Sequence, residues 1–287
     1  MSIELAHTRQ GSGEPVVLLH GIGHRKEAYD PVVAQLAEKY EVFAVDMPGF
    51  GASPPLPAGT SYSTENVIAA LADNFAQWGI VKPHVVGNSL GGAMALFLGQ
   101  EGFARSVTAL SPAGYFRPWS LLQAAVPLLS LKIGAYLPAP LLKLNFATPF
   151  GRLFAGWSLY RNPGKISEDR YYLDALAMKR SRAFWPMFFR CIPLGFTTPP
   201  AITGSAKVPT TIAWGSKDLM LNPSQTKLAA KKLAGVNFVT LTDCGHVPMS
   251  DSPEQVLAAI DTTIAKASTA ATTHPLAETT LAEPTVA

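Results

Sequence analysis

The chain of 287 residues carries little charge. Only 15% of its residues are Asp, Glu, Lys or Arg, and they balance to a net +3. No basic run or stripe accompanies that surplus, which removes the compositional basis for nucleic-acid binding. Cysteine is nearly missing: Cys191 and Cys244 stand far apart, form no metal-ligand pattern, and read as free thiols packed as small hydrophobes. Long apolar runs are lacking too. The longest stretch, 121–137, is broken by Pro127, Lys132 and two polar residues, so no membrane span is expected. Residues 1–7 lack the basic stretch and apolar run of a signal peptide, and cytoplasmic residence is the default expectation. Gly21-Ile22-Gly23 starts like a dinucleotide fingerprint, but Lys26 stands where the third glycine belongs. No metal and no cofactor are expected.

What is present is apolar surface, 48% of residues, enough for one large core or a core with a subdomain. Through the first 110 residues short apolar runs alternate with helical stretches. Val16-Val17-Leu18-Leu19, Val42-Phe43-Ala44-Val45, Val85-Val86 and Val107-Thr108-Ala109-Leu110 are continuous rather than alternating, as strands covered on both faces require. Helical spacing fills 31–39, 64–78 and 90–100. Strand-helix-strand repetition predicts an α/β fold with a doubly wound, mostly parallel sheet. From 112 to 205 the strand pattern stops, and Leu, Phe, Trp, Tyr and Pro follow helical spacing, which predicts a helical insertion. Strand runs resume at Thr210-Thr211-Ile212-Ala213-Trp214 and Asn237-Phe238-Val239-Thr240-Leu241, and a closing helix is expected over 253–266. The predicted organisation is a core of 1–111 and 206–267, the insertion 112–205, and a tail 268–287. That tail is too poor in large apolar residues to fold and is expected to be disordered.

Gly87-Asn88-Ser89-Leu90-Gly91 fits G-x-S-x-G directly between a strand and a helix. The central residue of such a turn adopts unfavourable backbone angles, and its neighbours two before and two after must be tiny because strand and helix approach closely. The turn lifts the Ser89 hydroxyl above the sheet at a helix N-terminus, where developing negative charge is stabilised. The competing reading is an ordinary serine N-cap in a glycine-rich turn. The flanking strand and helix favour the nucleophile.

On these residues the chain resembles the α/β-hydrolase superfamily over about 3–266, as a serine hydrolase with a helical cap. Leu18-Leu19-His20-Gly21-Ile22-Gly23 stands where that family has a strand ending in His-Gly-x-Gly, and Asp46-Met47-Pro48-Gly49-Phe50-Gly51-Ala52-Ser53 matches its Asp-x-x-Gly-x-Gly-x-Ser loop. The resemblance implies His246 as the base, in a Gly-His loop after a late strand. It implies Asp218 as the acid that keeps one His246 nitrogen protonated, in the chain order Ser, acid, His. The alternative acid position of the family reads Leu110-Ser111-Pro112-Ala113 and offers no carboxylate. Asp243, three residues before the base, is expected to shape its loop, and Asp46 to bond the backbone of its own. The oxyanion hole is expected at the backbone N–H groups of Ile22 and Leu90. His20 is expected to buttress the His-Gly loop, while His24, Asn88 and Val247 are candidates for substrate contact.

The resemblance places the insertion over the active site as a cap. Residues such as Leu121, Val126, Phe146, Phe154, Trp157 and Phe188 mostly hold the cap together, and some line the pocket, since so small a helical layer cannot hide them all. Its charges, such as Arg152, Arg161, Lys165, Arg180 and Arg182, are interspersed with polar and apolar residues, which disfavours a strongly anionic substrate. The implied function is hydrolysis of carboxylic esters with apolar acyl groups, through an acyl-enzyme, with a small-molecule ester as partner. A second reading is a carbon–carbon bond hydrolase of ring-cleavage products, whose elbow Gly87–Gly92 resembles. That branch commonly has Trp after the base and a further glycine in the oxyanion loop, where this chain has Val247 and His24. A third is a non-catalytic receptor of the same fold, against which the intact Ser, Asp and His set argues.

Overall fold

In the computed structural model, which describes residues 3–191 and 202–273, the continuous apolar runs form the centre of a seven-stranded sheet. In chain order the strands are β1 (His7–Gln10), β2 (Pro15–Leu19), β3 (Glu41–Val45), β4 (His84–Asn88), β5 (Ser106–Leu110), β6 (Gly204–Gly215) and β7 (Leu233–Leu241). They lie in the order β1-β3-β2-β4-β5-β6-β7. β1 runs antiparallel to β3, and every other pairing is parallel. Register sets Leu19 opposite Gly87 and Asn88 opposite Leu110, so these strands end level with one another.

Helices cover both faces. α1 (Asp30–Ala37) follows a 3-10 turn at Lys26–Tyr29, and α2 (Thr64–Gln77) and α3 (Leu90–Gln100) follow in the first half. Alternate residues of each strand feed two cores. Val17, Leu19, Val85 and Val107 pack with Leu71 and Phe75 of α2 and with Leu96 of α3. Val16, Leu18, Val86 and Ala213 pack on the other face against Val32 and Leu36 of α1. Truncating a fully buried leucine such as Leu18 to alanine should cost about 2–5 kcal/mol. Two-sided burial of this kind is what the unbroken apolar strands imply.

Between β5 and β6 lie α4 (Pro118–Gly134), α5 (Ala139–Ala147), α6 (Pro149–Gly156), α7 (Glu168–Arg180) and α8 (Phe184–Cys191). Thr148 and Ser167 cap α6 and α7, accepting from the N–H groups of Gly151 and Arg170. Lys132 of α4 is buried. Its ammonium donates to the Met178 carbonyl at the end of α7 at 2.6 Å and lies 5.0 Å from the Phe184 ring centroid, which ties three helices together.

The second half closes with α9 (Gln225–Lys232), α10 (Pro248–Asp251) and α11 (Pro253–Thr273). α11 corrects the expected boundary: it continues through 268–273, the part of the supposed tail that is described. Alanine is the strongest helix former, and the Ala-rich segment extends a helix whose preceding turns are packed on the sheet through Val256, Ile260 and Ile264. Residues 274–287 lie outside the described residues. β6 is also longer than the 210–214 run suggests. Gly204 and Ser205 pair with Leu233 and Ala234 before an irregularity that ends at Thr210.

Candidate active site

Ser89 sits between β4 and α3 with φ 56° and ψ −114°. That left-handed conformation is costly for any residue but glycine. The neighbouring glycines explain how the turn closes. A Cβ on Gly87 would strike the carbonyl of Gly91, and one on Gly91 would strike the carbonyl of Leu19 in β2. The elbow is anchored by Ser89 N–H donating to the Leu110 carbonyl at 3.0 Å, and by the Ser89 carbonyl accepting from Ala93 and Ala113, each at 3.0 Å. Although Ser89 occupies the N-cap position of α3, its side chain makes no capping hydrogen bond. The hydroxyl is not spent on the helix.

Asp218 lies just beyond β6 and His246 in the loop after β7. His246 Nδ1 donates to Asp218 Oδ2 at 2.8 Å, and both residues are buried. The other carboxylate oxygen, Oδ1, accepts from the N–H groups of Met220 (2.9 Å) and Leu221 (2.7 Å), so the carboxylate cannot rotate away from the ring. With Nδ1 committed as donor, Nε2 is left as the acceptor. Ser89 and His246 line one cavity. Asp243, the other carboxylate near His246 in sequence, pairs instead with Arg161 on the surface at 2.6 Å.

Ile22 and Leu90 both line a cavity that Ser89 also lines. Among the described residues neither of their N–H groups has an acceptor in the protein's turns and loops. Gly21 faces the Ser89 Cβ, and the left-handed Gly23 (φ 73°) lies so close to the Met178 side chain that a Cβ there would strike it.

His20 shapes that loop from beneath. Its Nδ1 donates to the Gly21 carbonyl at 2.7 Å, and its Nε2 accepts from Met47 N–H at 3.1 Å. Complete burial lowers its pKa to about 4, the neutral form this bonding needs. Asp46 accepts from Lys26 N–H at 2.6 Å and Ala52 N–H at 3.0 Å, holding the two loops together.

Of the three candidates for substrate contact, all line the larger cavity. The Asn88 amide, however, is tied to backbone, donating to the carbonyls of His246 at 2.9 Å and Leu110 at 3.2 Å. His24 accepts from Arg25 N–H at 3.0 Å, and its Nε2 lies 3.6 Å from Asp174 of α7. Burial pushes its pKa down. Val247 is buried and contributes apolar wall.

Asp251 is the residue that reading the sequence missed. Its carboxylate accepts from Gly245 N–H at 2.8 Å and from Arg161 N–H at 2.9 and 3.0 Å, tying the His246 loop to the segment after α6. Val247 N–H adds a bond to the Leu159 carbonyl at 2.9 Å. Burial pushes the Asp251 carboxyl up, against the lowering effect of its backbone donors. No local motif marks it, because its partners are backbone N–H groups, one of them, Arg161, ninety residues away.

Two cavities meet at Ser89. One of about 320 Å³ is walled almost wholly by apolar side chains, among them Phe116, Leu121, Leu128, Phe188 and Leu221. The other, about 440 Å³, is bordered by His246, His24, Asn145, Ser130 and Asp174 as well as apolar groups. Among the described residues no lysine or arginine lines either one, and no group of three His, Cys, Asp or Glu side chains could hold a metal. Both cysteines are free, as expected. Among the described residues no helix is long and apolar enough to cross a membrane.

This elbow, at the ends of parallel strands, defines an α/β hydrolase. The sequence matches the model of the alpha/beta hydrolase family over residues 16–259, and the chain belongs to that family. It is similar to Lipase 1 of Psychrobacter immobilis, with 26% identity over 248 residues that cover 85% of this chain and 74% of the relative. Two solved structures share the fold. A putative lipase from Acinetobacter baumannii AYE has a TM-score of 0.74 at 21% identity, covering 93% of this chain and 89% of that one. A meta-cleavage product hydrolase from Pseudomonas fluorescens IP01 has a TM-score of 0.70 at 18% identity, covering 93% and 98%.

Proposed function

We propose that the protein is a serine esterase acting on carboxylic esters with apolar acyl groups. The observation that carries the reading is the 2.8 Å bond from His246 to Asp218 beside an elbow serine that lines the same cavity as that histidine. His246 Nε2 takes the Ser89 proton as the hydroxyl oxygen attacks the ester carbonyl. The tetrahedral oxyanion is met by the N–H groups of Ile22 and Leu90. His246 returns the proton to the departing alcohol. Water, activated by the same histidine, then frees the acid from Ser89.

The mainly apolar cavity suits the acyl chain, and the larger one, with its polar border, suits the alcohol. With no lysine or arginine of the described residues on either wall, a dianionic ring-cleavage product would find no counter-charge there. That favours the ester over the carbon–carbon bond reading.

The test is a series of p-nitrophenyl esters. Each methylene buried contributes about 0.8 kcal/mol, so kcat/KM should climb about three- to fourfold per carbon from acetate until the cavity is full, then fall. A fluorophosphonate should label Ser89 once. A flat profile, a sharp preference for acetate or for dianionic substrates, or labelling elsewhere would refute the assignment.

A further inference from the structure

The outer surface of α4–α8 is unlike the rest of the molecule. Among the described residues, fifteen of the eighteen large apolar side chains that stand exposed belong to 112–191. They are ordered in stripes. On α4, Trp119, Leu122, Val126 and Ile133 recur at helical spacing along the solvent side, and on α6 Phe150, Leu153 and Phe154 do the same. Trp119 is 83% exposed, Phe150 77% and Phe154 71%, which is the reverse of an amphipathic helix packed on a core.

Charge is segregated as well. The segment 112–205 holds eleven Lys and Arg against three Asp and Glu, a net +8, while the remainder of the chain is −5. The even scatter along the segment hides this imbalance. Arg117, Lys143, Lys179, Arg180, Arg182 and Arg190 are all exposed. Several stand among the apolar stripes. Lys143 lies between exposed Leu141 and Leu144, Lys179 sits 5.8 Å from the centroid of exposed Tyr136, and Arg190 adjoins Phe189.

The larger cavity opens onto this face: Ser130, Leu137, Phe154 and Trp157 are at once exposed and part of its wall. Aromatic and aliphatic side chains surrounded by cations, on a helical layer with no span of its own, match an anionic lipid–water interface. The rings enter the acyl boundary, and the basic groups meet lipid phosphates.

We propose that the outer face of α4–α8 docks on anionic phospholipid membrane, with the cavity mouth against the lipid. The proposal concerns binding and does not depend on which bond the site cleaves.

The test uses the full chain and flotation with vesicles of phosphatidylglycerol or of phosphatidylcholine. Capture by phosphatidylglycerol, lost at about 0.5 M salt, with little capture by phosphatidylcholine, is the expected result. Trp119→Ser with Phe150→Ser removes two side chains outside the cavity walls and should weaken capture about a hundredfold. Lys143→Glu with Lys179→Glu and Arg180→Glu should weaken it at least as much, at about fivefold per cation. Unchanged circular dichroism and melting keep each variant interpretable, and the charge variant keeps every exposed aromatic and aliphatic side chain should the aromatic one fail to fold. No capture by phosphatidylglycerol, equal capture by both lipids, or capture untouched by either variant overturns the proposal. So does a dimer in vesicle-free solution that the Trp119 and Phe150 substitutions dissociate, which would assign the face to a second copy of the chain.

Discussion

The sheet and the inserted helices are held in place by different means. Around the elbow, backbone meets backbone: Gly87, Gly91 and Leu19 touch with no room for a methyl group, and parallel registers set the strand ends. The helical layer is fastened to that core by side-chain packing, with Tyr115, Phe116 and Met187 in the cluster on one sheet face and Phe146, Tyr160 and Tyr171 in that on the other, and by a few polar ties. Asp251 holds the segment after α6, and Asp174 of α7 pairs with Arg25 of the His-Gly loop at 2.9 Å. The residues proposed to carry the chemistry all stand on the first part, and much of the cavity wall on the second. Damage to the first should therefore be nearly all-or-none, and damage to the second graded.

The sharpest way to break this contrast is through the proposed triad of Ser89, His246 and Asp218. Asp218→Asn should leave folding intact and lower ester turnover by about 10⁴-fold, the order seen in other triads, because the His246 ring loses the acceptor that sets its tautomer. Asp243→Asn, which severs only an exposed ion pair, should leave turnover nearly unchanged. Steady-state kinetics of the two variants decide it, and the reverse outcome would move the acid to Asp243.

A second test concerns the core's polar supports. Folded His20 takes a proton only near pH 4, against the ordinary 6.5. Between those values the unfolded chain binds more protons. The contribution is therefore complete above about 6.5 and lost as pH falls toward 4, about 3 kcal/mol in all. Urea denaturation from pH 4 to 7 should show His20→Gln with a shallower rise of stability than the parent chain. Burial also lowers His24 and His84, so some slope should remain.

A smaller loss should follow from untying the two parts. Asp251→Ala strands the N–H groups of Gly245 and Arg161, at about 1–3 kcal/mol of stability. Turnover should fall by a measurable factor while KM for a short ester changes little, since the base loop rather than the cavity wall is loosened. Thermal melting with kcat and KM separates these effects. A variant with raised KM and unchanged kcat would show that Asp251 serves the cavity instead.

The sheet was legible because a strand covered on both faces must be apolar throughout, as Val16–Leu19 and Val42–Val45 are. The elbow was legible because its glycines answer a local steric demand. The extra length of β6 was not, since Gly204-Ser205-Ala206-Lys207 has the composition of a loop and is recruited by pairing with β7. Nor was the end of α11, where small residues offered too little apolar area for burial to announce a helix that alanine propensity sustains. Which side of α4 and α6 faces outward was equally hidden. Both sides of those helices carry apolar residues, so periodicity alone could not say which one water would see.

The φ of 56° at Ser89 sets function and durability against each other at a single residue. A side chain held there costs the native state about 1–3 kcal/mol that glycine would not incur. Ser89→Gly should therefore melt at a higher temperature than the parent while losing the proposed nucleophile. Selection for endurance alone would drift toward that inert form, and only a demand for turnover keeps serine in the turn.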